Sequence, residues 1–326
     1  MIPQSIASAF ERWNRPVLDA VARVLPRGEP GSMGDMVHYH LETGGKRLRP
    51  ILVQAAVEAL GGDPTASLPF AAGVELLHNA TLIHDDYQDG DRVRRGKTTV
   101  WVKYGWEQSI NAGDAAYFAG MRLVAEADVS EAQIRRLFHT ASSRLLQVIG
   151  GQVDEFRLKA EARPSEADYI RVIRGKTAGL FALPLEGAAV CAGLSPEETA
   201  TLAAAGDTLG LLFQVQDDLL DLIGEKGRDQ VGTDIAEGKP SLPVVRAMAT
   251  SPEADRLAAI IHKPREATTP AEIGEAIAIL ERSGAMDHAL KQVAAWRSEI
   301  VTGRPALDSL LTDLVTAVVA PIAHRL

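Results

Sequence analysis

The apolar positions of the chain recur at helical spacing along nearly its whole length. Alanine and leucine are abundant, and the alternating apolar and polar runs that are typical of strands are missing. Turn signals such as PRGEPGS, GGDPTAS and GLSPEE separate the helical segments. The pattern predicts helices over residues 4–25, 33–43, 50–60, 67–89, 106–127, 131–162, 166–173, 177–192, 196–223 and 241–250, with several more from residue 254 onward.

The segment GLSPEE shows most clearly where a helix begins. Ser195 is a suitable N-cap, and Pro196 suits the first helical position. Glu197 and Glu198 follow at the positive end of the helix dipole, which favours acidic side chains. No serine- or proline-rich linker interrupts the chain. Length alone permits two domains as easily as one, and a single domain would span residues 1–326.

The composition narrows the class of protein. With 46% hydrophobic and 24% charged residues, the chain matches an ordinary globular protein. The net charge of −9 argues against nucleic acid as the main partner, whereas local basic clusters still permit an anionic substrate. One cysteine, Cys191, fits a reducing compartment. The N-terminus is charged throughout, unlike a signal peptide, and no run of about 18 apolar residues predicts a transmembrane helix. We expect a cytoplasmic protein.

Two acidic segments share the pattern D-D-x-x-D near the end of an apolar helix. They place Asp85, Asp86 and Asp89 in HDDYQD, and Asp217, Asp218 and Asp221 in QDDLLD. Carboxylates at i and i+4 repel on one helix face and oppose the dipole of a helix C-terminus, and a bound cation removes both penalties. Oxygen ligands favour Mg²⁺. A single copy is equally compatible with a solvated helix end, but two copies favour facing metal sites that share one diphosphate.

Basic residues accompany these acids in two places. They are Arg92, Arg94 and Arg95 after the first motif, and Lys46, Arg47 and Arg49 in GGKRLRP. The arginine fork matches phosphate oxygens, and the two glycines allow close approach of the backbone to a ligand. We expect a helix to begin at Pro50, where its N-terminus also favours anions. A basic surface segment explains GGKRLRP alone about as well. Beside the acidic pair, it predicts a second, directly basic anion site.

The order of these motifs identifies a resemblance that extends from Gly44 to Pro243. The matching segments are GGKRLRP, ELLHNATLIHDDYQDGDRVRRGKTT, NAGD, GGQ, GKTAGLF, FQVQDDLLDLIG and GTDIAEGKPSLP. In these segments the chain resembles the trans-isoprenyl diphosphate synthases, also called polyprenyl synthetases, and is geranylgeranyl-diphosphate-synthase-like. The resemblance implies a single all-α domain with helices around a deep central cavity, and a homodimer. It also implies condensation of isopentenyl diphosphate with an allylic diphosphate.

The resemblance also implies roles for individual residues. Magnesium, about three ions with substrate bound, would be held by Asp85, Asp86, Asp89, Asp217, Asp218 and Asp221. The allylic diphosphate would be gripped by Arg94, Lys176 and Lys239, and isopentenyl diphosphate by Lys46, Arg49, His78 and Arg95. Thr177 and Gln214 would line the reacting centre. Where the family usually has a lysine before the GxD segment, this chain has Arg228, and whether Lys226, Arg228 or Gln230 contacts diphosphate stays open.

Small residues near the first motif bear on product length. Ala80 and Thr81 lie about one turn before Asp85, where short-chain relatives carry a large aromatic residue that blocks the tunnel. We therefore expect a product of C20 or somewhat more, with geranylgeranyl diphosphate as the best single prediction. Tyr117 and Phe118 are either the floor of this tunnel or ordinary core aromatics.

Two other functions fit part of the sequence. A class I terpene cyclase shares the fold and a D-D-x-x-D motif, but it needs no second diphosphate site, so GGKRLRP and the Arg94–Arg95 pair count against it. A non-catalytic subunit of a heteromeric prenyl synthase tends to lose aspartates from one motif. This chain keeps both motifs complete, which favours an active enzyme.

Overall fold

The computed structural model describes residues 3–224 and 231–325. Most of the regular structure in this part of the chain is helical, and the helices are numbered in chain order. They are α1 Gln4–Val24, α2 Met33–Leu41, α3 Leu48–Ala59, α4 Leu68–Gln88, α5 Val100–Tyr104, α6 Trp106–Ala125, α7 Glu131–Ala160, α8 Glu166–Ile173, α9 Gly179–Cys191, α10 Pro196–Ile223, α11 Thr233–Ala236, α12 Leu242–Thr250, α13 Ala254–Ile261, α14 Pro270–Arg282, α15 Ala285–Glu299 and α16 Pro305–Val319. The predicted all-α fold is confirmed.

Three short elements complete the description. A π-helix, Arg174–Ala178, joins α8 directly to α9. Single turns of 3₁₀-helix lie at Arg265–Ala267 and Ala320–Ile322. The predicted capping of α10 is confirmed, since the Ser195 side chain accepts a hydrogen bond from the Glu198 backbone.

A small hairpin is the main element that the hydrophobic pattern did not predict. Strands β1, Val93–Arg94, and β2, Lys97–Thr98, pair antiparallel, with Arg94 opposite Lys97. The two residues between them, Arg95 and Gly96, both have positive φ, as a type I′ turn requires. Strands of two residues are too short to produce an alternating pattern of apolar and polar residues, so the hairpin left no period to detect.

Helix α3 begins two residues before the position expected from Pro50. Its first residue is Leu48, and Arg47 before it has a left-handed backbone with φ of 42°. Pro50 therefore lies inside the first turn, where the missing backbone N–H costs no helical hydrogen bond.

The core is built around α4, α9 and α10. Helix α9 is buried on all sides and packs against α3, α7 and α10. Helix α4 is buried from Phe70 to Ile83 over most of its surface, with α6 alongside it. A helix that is apolar all round must be enclosed by others. This arrangement brings the acidic ends of α4 and α10 to the rim of the core.

One segment of the described chain, Pro305–Ile322, is long and apolar enough to cross a membrane by length and composition alone. Leu307, Leu311 and Leu314 of this segment are buried, and α16 packs against α1, α3 and α10. Core helices pass the same test of length and composition. Asp308 lies inside the segment, so the sequence shows no uninterrupted apolar run.

Candidate active site

The two acidic motifs lie on the last turns of α4 and α10. Asp85 and Asp86 belong to the final turn of α4, and Asp89 caps it, with its N–H bonded to the Asp85 carbonyl oxygen. Each helix is apolar up to these turns, so the carboxylates sit where buried helices meet polar loops.

Asp86 faces the hairpin. Its Oδ1 accepts a hydrogen bond from Arg94 Nε at 2.6 Å, and the carboxylate is only 1% exposed. Its Oδ2 is buried and has no hydrogen-bond partner among the described residues. Burial raises the pKa of Asp86 to about 6, although Arg94 acts in the opposite direction. Asp86 and Arg94, which were predicted to bind metal and diphosphate, therefore pair with each other in this structure.

Asp89 and Asp85 lie near a group of charges on α7 and the π-helix. Lys159 Nζ is 3.4 Å from Asp89 Oδ1 and 3.8 Å from Glu155 Oε1. The other oxygen of Glu155 accepts a hydrogen bond from Lys176 Nζ at 2.5 Å. Burial raises the pKa of Asp85 to about 6, while Lys176 lowers it. Lys159 and Lys176 therefore both lie close to the first motif.

The π-helix presents Lys176 and Thr177 to the site. It passes so close to α7 that a Cβ on Gly151 would lie 2.2 Å from the backbone nitrogen of Lys176. The carbonyl oxygen of Arg174, at its first turn, accepts a hydrogen bond from Gln147 Nε2 at 2.8 Å. Segments of π-helix are rare and often occur at functional sites. The close approach and this hydrogen bond fix where the Lys176 backbone lies.

A hydrogen-bonded chain connects the π-helix to the second motif. Thr177 Oγ1 donates to Gln214 Oε1 at 2.8 Å, and Gln214 Nε2 donates to Asp218 Oδ1 at 3.0 Å. The other Asp218 oxygen accepts from the Tyr169 hydroxyl at 2.5 Å. Burial, followed by repulsion from Asp234, raises the pKa of Asp218 to about 7. The predicted neighbours Thr177 and Gln214 therefore lie together and hold Asp218.

The remaining aspartates of the second motif take different positions. Asp217 lines a cavity, whereas Asp221 is buried and its Oδ2 accepts from the Asp234 backbone N–H at 2.9 Å. Lys239 Nζ is 2.6 Å from Glu237 and 3.6 Å from Asp234. Burial lowers the pKa of Lys239, but Asp234 and Glu237 outweigh it and the net change is upward.

Many of these side chains line one cavity, which has a volume of about 200 Å³. The residues predicted from the sequence that line it are Lys176, Thr177, Gln214, Asp217, Asp218 and Lys239. Glu155, Tyr169 and Asp234 also line it. The cavity is therefore a polar chamber with lysines and carboxylates on its walls, of the kind that holds a diphosphate with metal ions.

A second cationic group lies between α3, α4 and α9. Arg49 Nη1 is 3.0 Å from His78 Nε2, Arg49 Nε donates to the Leu180 carbonyl oxygen at 3.2 Å, and the guanidinium lies 4.6 Å from the centre of the Phe181 ring. Burial lowers the pKa of Arg49 to about 10 and that of His78 well below its usual value. His78 is therefore neutral at pH 7.

Arg95 extends this second group. Its guanidinium donates to the Gly44 carbonyl oxygen and lies so close to Gly45 that a Cβ there would be 2.6 Å from Nη1. Glu75, buried on α4, interacts with Arg49 and Arg95, and burial is the main cause of its raised pKa. Lys46 is exposed on the same loop. Arg49, His78 and Arg95 are thus brought together, with Lys46 at the edge.

The residues predicted to set product length lie in two environments. Ala80 and Thr81 are buried, and Thr81 Oγ1 donates to the His78 carbonyl oxygen at 2.7 Å. Neither lines the polar cavity. Tyr117 packs beside His84, with ring centres 5.7 Å apart. Phe118 is 78% exposed, so the prediction that it closes an internal tunnel is wrong within this chain. Adjacent residues of a helix point in different directions, which separates Phe118 from Tyr117.

Three residues named from the sequence lie outside the described part of the chain, and several site residues were not named. Lys226, Arg228 and Gln230 lie outside the described residues. Sequence reasoning did not select the site residues Glu155, Lys159, Tyr169, Asp234 and Glu75. For Glu75, the signal was an acid on an otherwise apolar helix. For the others, no local pattern revealed the partner.

The residues of the cavity fit Mg²⁺. Within residues 3–224 and 231–325, no group of three or more His, Cys, Asp or Glu side chains is positioned to hold a metal. Mg²⁺ does not require such a group, because it usually binds through one or two carboxylates, water and substrate phosphates. Asp85 and Asp89 on one side and Asp217 on the other supply oxygen donors of this kind. The buried Asp86 Oδ2 without a partner is a further acceptor beside them.

Comparison with known proteins gives consistent matches. The sequence model of the polyprenyl synthetase family matches residues 31–280. The short chain isoprenyl diphosphate synthase of Methanothermobacter thermautotrophicus is 36% identical over 255 residues, 77% of each chain. The geranylgeranyl diphosphate synthase of Methanosarcina mazei is 32% identical over 293 residues, 89% of this chain and 88% of its own.

A solved structure adds ligands to the comparison. The polyprenyl synthase of Caulobacter crescentus, crystallised with calcium and isoprenyl diphosphate, superposes with a TM-score of 0.82 at 29% identity. The match covers 96% of this chain and 97% of that one. The similarity therefore extends over essentially the whole fold.

Proposed function

Because the chain belongs to the polyprenyl synthetase family and is a trans-isoprenyl diphosphate synthase, we propose that it condenses isopentenyl diphosphate with an allylic diphosphate in a Mg²⁺-dependent reaction. The observation that carries this proposal is the presence of two separate cationic sites. One combines lysines with the two acidic motifs, and the other combines Arg49, His78 and Arg95 without an acidic motif. The two sites therefore differ in the side chains around them, and each suits one of the two diphosphate substrates.

The first site suits the allylic diphosphate. We assign direct metal binding to Asp85, Asp89 and Asp217, which lie at or near the cavity. Lys176 and Lys239 line the same cavity and supply positive charge to the diphosphate. When bound, Mg²⁺ supplies Lewis acidity that stabilises the negative charge of the departing diphosphate. The Caulobacter crescentus structure with calcium and isoprenyl diphosphate supports a divalent ion beside such a ligand. We keep the expectation of about three ions as part of this proposal.

The other three aspartates have supporting roles in this proposal. Asp86 holds Arg94, Asp218 is held by Tyr169 and Gln214, and Asp221 accepts the Asp234 backbone N–H. The bonds of Asp86 and Asp221 link α4 and α10 to the segments that follow them, and the bond from Tyr169 links α10 to α8. The direct ligands thereby keep their positions.

The second site suits isopentenyl diphosphate. Arg49 and Arg95 provide guanidinium forks, and neutral His78 offers a ring N–H or nitrogen for a further hydrogen bond. The exposed Lys46 adds a mobile charge at the entrance. Glu75 beneath the arginines keeps them charged and oriented, since paired cations are cheaper to bury than single ones.

The chemistry follows from holding the two substrates apart and aligned. The allylic C–O bond breaks, and the departing diphosphate takes the bonding electrons while Lys176 and Lys239 stabilise its charge. The alkene of isopentenyl diphosphate then attacks the allylic cation and forms the new C–C bond. A proton passes to the departed diphosphate, which leaves a product five carbons longer. Thr177 and Gln214 turn oxygen atoms toward this region, and the buried walls exclude water that would quench the cation.

We propose a product of C20 or somewhat more. Ala80 and Thr81 are buried and small on the helix that carries the first motif, which supports a passage for the growing chain. The matching geranylgeranyl diphosphate synthase supports the same length. Replacing Ala80 with Phe should shorten the main product by at least one five-carbon unit, measured by chromatography of the dephosphorylated alcohols. An unchanged product from a stably folded variant would contradict this role for Ala80.

We also propose that a second copy of the chain covers an apolar stripe on α7. Leu146, Ile149, Val153 and Phe156 recur at helical spacing on this stripe and are exposed, as is Phe118 on α6. Sedimentation at several concentrations tests this homodimer. We further propose that the chain acts in the cytoplasm as one catalytic domain. The packing of α16 against α1 and α3 supports the single domain.

One incubation tests the proposed reaction. The chain is mixed with Mg²⁺, labelled isopentenyl diphosphate and a C5, C10 or C15 allylic diphosphate, and the products are sized. We expect label in a chain of about C20 or longer, and a chelator should abolish it. A terpene cyclase would convert the allylic diphosphate without consuming isopentenyl diphosphate, and a non-catalytic subunit would convert neither.

A further inference from the structure

Lys159 is a cation in the first site to which the family resemblance assigns no role. It lies on α7 one turn after Glu155, and its Nζ is 3.4 Å from Asp89 Oδ1 and 3.8 Å from Glu155 Oε1. Asp89 is a proposed metal ligand, so Lys159 directly contacts the metal-binding face of the first motif.

The position of Lys159 differs from that of a surface lysine. Its side chain is only 22% exposed, whereas Arg157 on the same helix is 74% exposed. The Lys159 ammonium also lies 5.5 Å from the centre of the Phe156 ring. Holding a long flexible side chain in this way costs rotamer entropy, which the contacts with Asp89 and Glu155 offset.

Each of the two lysines near Glu155 lies close to one oxygen of its carboxylate. Lys176 Nζ donates to Oε2 at 2.5 Å, and Lys159 Nζ lies 3.8 Å from Oε1. Lys176 is already assigned to the allylic diphosphate by the cavity that it lines. Within residues 3–224 and 231–325, Lys159 is therefore the fourth ammonium or guanidinium group close to the first motif, beside Lys176, Lys239 and Arg94.

We propose that Lys159 is a further diphosphate-binding residue, and that it exchanges Asp89 for diphosphate oxygens when metal binds to Asp89. A divalent ion at Asp89 repels the Lys159 ammonium, and the flexible four-carbon stem lets the ammonium move to a nearby anion. The diphosphate that the ion carries is such an anion. This inference rests on the proposed function of the first site.

The exchange predicts two effects of opposite sign. Removing the Lys159 charge makes the carboxylate cluster more negative, so Mg²⁺ alone should bind more tightly. The same change removes a cation from the diphosphate, so pyrophosphate should bind more weakly. A lysine that only supports the fold of α7 would not produce this opposition.

Calorimetry of Lys159→Met tests the proposal, because methionine keeps an unbranched apolar stem. We expect Mg²⁺ alone to bind about threefold more tightly than to the unchanged chain. We expect inorganic pyrophosphate, titrated at saturating Mg²⁺, to bind on the order of tenfold more weakly. Lys159→Arg should restore most of the pyrophosphate affinity. Arg157→Met removes an exposed charge from the same helix and should leave both affinities nearly unchanged.

Two results would overturn the proposal. One is a Lys159→Met chain that folds normally and shows both affinities of the unchanged chain. The other is a parallel loss of both affinities, which indicates a structural role. The proposed function has a separate control, since the unchanged chain must bind pyrophosphate with Mg²⁺ and consume isopentenyl diphosphate. If the unchanged chain does neither, the proposed function is contradicted. If it does both and Lys159→Met changes neither affinity, only the proposed role of Lys159 is contradicted.

Discussion

The two D-D-x-x-D motifs have the same spacing but are held in different ways. On α4, charged groups contact the aspartates: Arg94 pairs with Asp86, and Lys159 pairs with Asp89. On α10, neutral donors hold Asp218, namely the Tyr169 hydroxyl and the Gln214 amide. A cation that binds the first motif must therefore compete with lysine. In the second motif, neutral hydrogen bonds orient Asp218.

This contrast shows that one sequence pattern does not fix one electrostatic environment. Burial is the leading cause of the raised pKa of both Asp86 and Asp218. The neighbouring charge differs. Asp86 lies beside an arginine of opposite charge, whereas Asp218 lies near another acid, Asp234. We expect the first motif to respond mainly to loss of a counter-ion, and the second to loss of a hydrogen bond.

The largest effect should come from the aspartates that both motifs contribute to metal binding. Asp85→Asn and Asp217→Asn keep the side-chain shape but remove a charged ligand, so each should lower turnover on the order of 10²–10³-fold. Steady-state assays with saturating substrates measure this loss. Asp114→Asn, an exposed acid on α6, serves as the control. Near-normal turnover in either motif variant would exclude that aspartate as a ligand.

The next effect concerns stability at the first motif. Arg94→Met leaves the buried Asp86 carboxylate without its counter-ion and should lower the free energy of unfolding by about 3 kcal/mol. Urea unfolding measures the change. Adding Asp86→Asn to the same chain should recover part of the loss, since the uncompensated charge is then gone. A loss below about 1 kcal/mol would mean that the pair behaves like an exposed one.

A smaller effect is expected at the second motif. Tyr169→Phe removes one neutral donor from Asp218, while Gln214 still donates to the other oxygen. The free energy of unfolding should fall by about 1–2 kcal/mol in the same urea experiment. A larger loss than that of Arg94→Met would reverse the contrast between the motifs.

The last effect is a pH dependence of stability in protein prepared with a chelator. Burial raises the pKa of Asp85 and Asp86 to about 6 and that of Asp218 to about 7, from 3.8. Raised carboxyl pKa values mean that the native state binds more protons than the unfolded chain, so their contribution is present below about pH 4 and is lost as the pH rises to about 7. The melting temperature should therefore fall between about pH 5 and pH 8.

Two variants separate the motifs in this experiment. Asp218→Asn should reduce the fall mainly near pH 7, and Asp86→Asn should reduce it mainly near pH 6. Added Mg²⁺ should stabilise the chain more at the higher pH, where more carboxylates are ionised. A melting temperature that rises steadily over this range, unaffected by either variant, would contradict the assignment.

The helical fold and the two acidic motifs could be recognised from the sequence, because both follow local patterns. Thr177 and Gln214, which the family resemblance selected, are hydrogen-bonded to each other, and their expected place at the reacting centre stays a prediction. The partners of the motifs were not predictable in this way. Lys159 is 70 residues from Asp89, and Tyr169 is 49 residues from Asp218, so only the packing of α7, α8 and α10 brings them together.

The directions in which side chains point were also not predictable from the sequence. Tyr117 and Phe118 are adjacent and both aromatic, yet one packs inside and the other is exposed. An error of one residue in helical phase exchanges their roles. The two-residue strands of the hairpin also escaped prediction, and with them the contact between Arg94 and Asp86.

The π-helix at Arg174–Ala178 makes the site sensitive to chain length. Its wider turn contains one residue more than an α-helical turn, and α8 and α9 continue from its two ends. A deletion of one residue here would let the helix become regular and would change the directions of Lys176 and Thr177, the two side chains that this turn presents to the cavity. A helix that is locally more regular would thus lose part of the cavity wall.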